Sequence, residues 1–154
     1  MSEWSNGSHS SNRLLVLYLK VMNKIKTLLK SLDKLNLPQG SFVITGSGPI
    51  GIRDIREIDD LDVIVRKEIF DKLKHEHNYD GKNIDGHLEL GEIEIGYKWQ
   101  DSEEKAIELL KDSELIDGYP FVKLKYIIEW KQSLAREKDK HDLEMIEKYL
   151  KEQK

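Results

Sequence analysis

Among the 154 residues there is no cysteine. That excludes disulfides and thiolate-bound metal sites, and it fits a reducing compartment. No run of about 18 apolar residues occurs, so nothing in the sequence reads as a membrane span. The opening MSEWSNGSHSSN has neither a basic start nor an apolar core, so it does not read as a signal peptide. Residues 1–12 read instead as a flexible tail. Positive charge is not in excess either. The 25 Lys and Arg face 29 Asp and Glu, for a net charge of −4. Long nucleic acid is therefore not favoured as a partner, and a nucleic-acid substrate would need a local basic patch. There is no internal repeat and no low-complexity segment. Together these absences point to a cytoplasmic protein with no membrane partner. What remains is 38% hydrophobic and 35% charged, enough for one cored domain over residues 13–154.

The pattern predicts a long helix over residues 13–35. Leu14, Tyr18, Val21, Ile25, Leu28, Leu32 and Leu35 recur at steps of four and three. Leu15, Met22 and Leu29 widen that stripe, so the helix faces a core. The alternative is a dimer seam, which would make the chain an oligomer through this helix. Pro38-Gln39-Gly40 closes the connection.

The next stretch, Ser41 to Arg66, organises the chain. Phe42, Val43 and Ile44 read as a buried strand that breaks into Gly46-Ser47-Gly48. A short segment with Arg53 and Arg56 follows. In the second strand Asp60 and Asp62 alternate with Leu61, Val63 and Val65. Strand side chains alternate between faces, so the two aspartates share one face and the aliphatic residues enter the core. Two carboxylates fixed on a strand repel each other and call for a cation. Beside a Gly-Ser turn they can hold a divalent metal over a phosphate.

Beyond this point, residues 67–77 suggest a short helix and Asp80-Gly81 a turn. Residues 87–99 alternate as one strand, with a bend at Gly91 that keeps Leu88, Leu90, Ile93 and Ile95 on one face. Glu92 and Glu94 would then share the other. Residues 102–112 look helical, with Ser102 as N-cap. Asp117-Gly118-Tyr119-Pro120 is a turn. Residues 121–152 read as two helices meeting near Glu137. Lys131 lies on the inward face of the first, where it must snorkel or find an anion. His75 and His77 read as a solvated helix end, because residues two apart do not share a helix face. Trp99 and Trp130 read as core, with base-stacking platforms as the alternative.

Gly46, Gly48 and Gly51 also satisfy a dinucleotide-binding spacing. Only about eight residues separate Gly51 from Asp60, too few for the crossover helix that such a unit requires. A P-loop is excluded, because no Gly-Lys-Ser/Thr follows.

Gly46-Ser47, twelve residues, then Asp60-Leu61-Asp62-Val63 resembles the signature of the nucleotidyltransferase superfamily. In the tail, Lys131, Arg136-Glu137-Lys138-Asp139 and Asp142 resemble the helical signature of bacterial members. Those include the abortive-infection and antibiotic nucleotidyltransferases. The resemblance covers about residues 40–150. It implies an α+β fold, with a mixed sheet flanked by helices, and two metal-binding carboxylates, Asp60 and Asp62. A third would come from a neighbouring strand, with Glu94 first, Glu92 as the alternative and Glu89 still open. The metal would be Mg²⁺ or Mn²⁺.

Backbone N–H groups of Gly46, Ser47 and Gly48, with the Ser47 hydroxyl, could cradle phosphates. Arg53 and Arg56, three apart, could clamp one; their alternative is pairing with Asp54, Glu57 or Asp59. Lys131 is the inward candidate for a phosphate contact. Arg136, Lys138, Asp139 and Asp142 could instead form a structural ion-pair network. The expected activity is transfer of a nucleoside monophosphate from an NTP, ATP first, to an unidentified acceptor: a small molecule, a protein or an RNA end. The alternative is a catalytically inactive protein of the same fold. It would bind a nucleotide or a partner protein, in a toxin–antitoxin or phage-defence setting. A third expectation is an interaction module built on the first helix.

Overall fold

The computed structural model describes residues 9–77 and 87–154. The expected Asp80-Gly81 turn and most of the 1–12 tail lie outside them. The fold is α+β, built on one mixed six-stranded sheet. In chain order the elements are α1 (His9–Asp33), β1 (Phe42–Thr45), α2 (Gly48–Ile52) and β2 (Leu61–Val65). Next come α3 (Lys67–Glu76), β3 (Leu88–Leu90), β4 (Ile93–Gly96) and α4 (Glu103–Lys111). The last four are β5 (Ser113–Ile116), β6 (Tyr119–Val122), α5 (Leu124–Leu134) and α6 (Glu137–Glu152). No described helix is long and apolar enough to cross a membrane.

The strands lie in the order β3-β4-β2-β1-β6-β5. β1 is antiparallel to β2, β2 is parallel to β4, and β1 is parallel to β6. Because β1 and β2 are antiparallel, the Gly46-Gly48-Gly51 spacing does not open a parallel crossover unit. Both faces of the sheet are covered, which is why β1 and β2 are apolar on both sides apart from Thr45 and Asp62. On one face Leu61, Val63, Ile93 and Ile95 meet Ile25, Leu28 and Leu32 of α1 and Phe70 of α3. On the other, Val43 and Ile64 meet Leu109 of α4, Ile127 of α5 and Ile146 of α6.

Two hairpins replace single features of the sequence reading. Residues 87–99 do not form one bent strand. β3 and β4 pair antiparallel across a two-residue turn at Gly91 and Glu92, with Leu88 opposite Ile95 and Leu90 opposite Ile93. Gly91 carries φ +65° there, a conformation open to glycine. All four apolar residues still reach one face, because opposed residues of a hairpin share it. The second hairpin flanks the expected turn at Asp117-Gly118. Both residues have positive φ, and Ile116 pairs with Tyr119, the geometry that two-residue hairpin loops favour.

Ser102 caps α4, accepting the Lys105 backbone N–H at 3.1 Å. Helices α5 and α6 meet at Ala135, which ends α5 in the left-handed region at φ 50°.

Candidate functional site

The sheet register assembles a polar row on the face covered by α4, α5 and α6. Thr45 of β1 pairs with Asp62 of β2. Asp62 in turn pairs with Glu94 of β4, and Glu94 with Glu89 of β3. Asp60 sits two residues before Asp62 on the same face. Asp62 is the deeper of the two aspartates. Its carboxyl is pushed up to about 8, by burial first, then by a hydrogen bond to Glu94, the Glu94 charge and Asp60. Asp60 is also raised, by burial and then by Glu94. These acids therefore hold protons more tightly than ordinary carboxyls, because water is excluded and like charges crowd. Among the described residues, no three His, Asp or Glu side chains gather as a metal group. The core of the acid set is the pair Asp62 and Glu94.

Glu92 stands apart from this row. It lies in the β3–β4 turn, and its carboxylate meets Lys24 of α1, on the opposite side of the sheet. Thr45 adds a polar atom of a different kind. It is 5% exposed, and its Oγ1 is the one buried side-chain polar atom without a hydrogen-bond partner among the described residues. A hydroxyl left so is costly unless something comes to meet it.

The chain reaches this row through Gly46, at φ +60°. A Cβ there would run into the Asp62 carboxylate, so only glycine lets the turn close over the acid. Ser47 follows as the N-cap of α2, yet its hydroxyl does not cap the helix. Gly48 is buried against Ile44 and serves packing.

Two arms of one cleft open from this point. The wider, about 550 Å³, runs over Thr45, Gly46, Asp62 and Glu94 to Trp99 and Trp130. The narrower, about 360 Å³, runs past Ser47 to Arg56, Lys131, Lys138 and His141. Gly46, Asp62, Trp130, Arg136 and Lys138 line both. Asp62 therefore stands at a seam between a mixed arm and a basic one, while Glu94 lines only the wider arm and Asp60 lines neither.

The basic arm is built from a buried ion-pair chain. Arg56 donates to both oxygens of Asp142, from Nε at 2.7 Å and Nη2 at 2.9 Å. Lys131, 5% exposed, pairs with Asp142 at 2.9 Å and Asp139 at 3.4 Å. Arg136 donates to Asp139 from Nε at 2.6 Å, and from its own backbone N–H at 3.1 Å. Hydrogen bonds from Arg136 first, against burial, hold the Asp139 carboxyl down to about 2. Burial pushes Asp142 up, but hydrogen bonds from Arg56 and Lys131 overcome it and leave it below the usual range. Lys131 thus finds the anions its inward position demanded, and the network expected of Arg136, Asp139 and Asp142 extends back to Arg56. Three cations against two carboxylates leave one positive charge facing the cleft. Lys138 has no ion pair among the described residues and adds a second.

Arg53 does not join this arm. It donates to the Pro49 carbonyl at 2.9 Å and pairs with Glu114 of β5. Neither arm of the cleft is lined by it.

No protein family, curated protein or solved structure matched this chain.

Two cleft residues, Thr45 and His141, escaped the sequence reading, and two more were read first as core. Trp99 and Trp130, expected as core, stand with ring centroids 5.1 Å apart and line the cleft. For Trp130 a signal existed: it precedes inward-facing Lys131 on the same helix. Nothing local marked Trp99, the Thr45 hydroxyl or His141, because each depends on the packing of distant segments.

Proposed function

We propose that the chain is a metal-dependent nucleotidyltransferase, moving a nucleoside monophosphate from an NTP to an acceptor hydroxyl or phosphate. One observation carries this reading. Asp62 and Glu94 are neighbours on paired strands, and Asp62 lies against the Gly46 turn at the seam between the two arms. Nucleotidyl transfer needs that adjacency of acids and cations, because charge builds on the phosphates during transfer.

The donor set suits a hard divalent cation. It is all oxygen, with one carboxyl that burial keeps protonated and one unpartnered hydroxyl beside it. Asp60, Asp62 and Glu94 would hold Mg²⁺ or Mn²⁺, and a bound ion there supplies the charge that polarises the α-phosphate and steadies the departing pyrophosphate. The chain's own residues do the rest. Gly46 and Ser47 let backbone N–H groups approach the phosphates closely. Lys138 and the outer edge of Arg136 draw the polyphosphate into the basic arm. Lys131 and Arg56 share their charge with Asp139 and Asp142 and fix where that arm lies. Glu94 is the carboxylate placed to take the proton of an acceptor hydroxyl.

A second reading, nucleotide capture without transfer, is favoured by the lack of a gathered three-residue metal group among the described residues. Thermal-shift scans separate the outcomes. Each of the four NTPs is added with Mg²⁺, Mn²⁺ or EDTA, to wild type and to Asp60→Asn/Asp62→Asn. A ligand at 100 times its Kd adds about 2.7 kcal/mol of stability. A metal-dependent shift lost in the variant supports the site, and pyrophosphate release on adding an acceptor pool distinguishes transfer from capture. No shift with any nucleotide overturns both readings.

A further inference from the structure

The nucleotide reading leaves one wall of the wider arm without a task. Trp99 follows β4 and Trp130 lies on α5, and the two indoles meet at 5.1 Å with a tilt of 50°. Both are half-buried, and both line the cleft. Trp99 rests on the core beneath it. The pair packs too closely to admit a third ring between them, so their open faces make a corner beside the acids.

Two further observations concern how the corner is held. Trp99 and Ser102 exchange backbone hydrogen bonds at 2.9 and 3.0 Å around Gln100 and Asp101. Those two residues carry φ 48° and φ 64°. A two-residue turn of this kind favours Asn-Gly, and residues with a Cβ are strained in it. Strain kept at the lip of a cleft is a mark of a side chain placed for use. On the other indole, Lys131 Nζ lies 5.2 Å from the Trp130 ring centroid. That lysine is itself locked by Asp139 and Asp142, so the ring is backed by a fixed cation.

We infer that the Trp99–Trp130 corner seats a flat heterocycle, the nucleobase of the NTP. This rests on the nucleotide reading above and supplies what that reading left open, the way the base is held. The base is gripped by its face. Every base offers a π-face, so the grip discriminates weakly among the four NTPs. The phosphates then point along the seam toward Lys138, past Asp62.

The test uses the full chain carrying Trp4→Phe, so that Trp99 and Trp130 supply the fluorescence. Mg²⁺-ATP and Mg²⁺-tripolyphosphate are titrated in parallel, by fluorescence and by calorimetry. Stacking predicts that ATP quenches the emission and tripolyphosphate does not. It also predicts that ATP binds at least roughly tenfold more tightly, and that the four NTPs agree within a few-fold. Trp130→Leu should remove most of the advantage of ATP over tripolyphosphate, while Trp130→Phe should keep it. Equal affinity for ATP and tripolyphosphate, or ATP binding without quenching, overturns the stacking corner while the phosphate site stands. Binding of neither ligand overturns the nucleotide reading and the corner with it. If Trp130→Leu fails to fold, the quenching comparison still decides the matter.

Discussion

Gly46 and Asp62 compete for one small volume: a Cβ on the glycine would overlap the Asp62 carboxylate. The turn and the acid are therefore a single unit, and a change in one displaces the other.

Gly46→Ala should be costly on two counts. At φ +60° a residue with a Cβ loses roughly 1–2 kcal/mol, and the carboxylate must move as well. The expected melting temperature falls by several degrees, since 1 kcal/mol is worth about 2–4 °C at this chain length. Metal-dependent nucleotide binding should fall with it. An unchanged melting curve with unchanged binding would contradict the geometry.

Thr45→Val tests the unpartnered hydroxyl. The swap keeps the shape and removes a buried oxygen that has no hydrogen bond. Free protein should gain about 1 kcal/mol, while affinity for Mg²⁺-ATP should drop. Lower stability of the variant, measured by urea unfolding without ligand, would mean the hydroxyl is already satisfied.

Asp62 gives the stability a pH dependence of definite sign. Its folded carboxyl sits near 8, against about 3.9 in an unfolded chain. Below about pH 4 both states hold the proton. As pH rises from there toward 8, the unfolded chain has released it and the folded one must do so at a cost. Wild type should lose stability across that window relative to Asp62→Asn, and the variant should be the more stable of the two at pH 8.5. Mg²⁺ should reverse the trend for wild type only. Calorimetry of Mg²⁺ binding in two buffers at pH 7 should show proton release. Parallel melting curves from pH 5 to 8.5 would refute a raised Asp62.

The ion-pair chain behaves in the opposite sense. Asp139 sits near 2, and Asp142 is also held low. Their contribution is present above about pH 4 and is lost as pH falls through their folded values. Asp142→Asn should cost about 3 kcal/mol, because it leaves buried Lys131 with a single partner and Arg56 with none of its carboxylate bonds. It should also flatten the acid limb between pH 4 and 2. A loss below 1 kcal/mol by chemical denaturation would mark the network as peripheral.

How much of this was legible depends on the reach of each interaction. The strand carrying Asp62, the Ser102 cap and the two tail helices were readable, because each is written within a few residues, although Asp60 falls just before the strand that was expected to include it. Glu94 was readable as the first candidate, and the hairpin, which turns Glu92 toward Lys24, adds a reason the sequence did not hold. A single bent strand and a two-residue hairpin both keep Leu88, Leu90, Ile93 and Ile95 on one face, so periodicity could not separate them. Arg56 was read against its neighbours Asp54, Glu57 and Asp59, and its true partner Asp142 lies far down the chain. Arg53 went to Glu114 for the same reason. The strands flanking Asp117-Gly118 were too short for alternation to show.

The bond from Arg56 to Asp142 spans 86 residues of chain, and this sets the order in which a working cleft can come into being. During synthesis the turn and its acids emerge early, and they can pair as soon as β4 is out. Arg56 and Lys131 emerge before the final helix, but the carboxylates that hold them, Asp139 and Asp142, arrive only with it. A nascent or C-terminally clipped chain would therefore carry Arg56 and Lys131 without the carboxylates that fix their place. The last helix is thus the latch of the basic arm: until it docks, those two cations have no fixed seat.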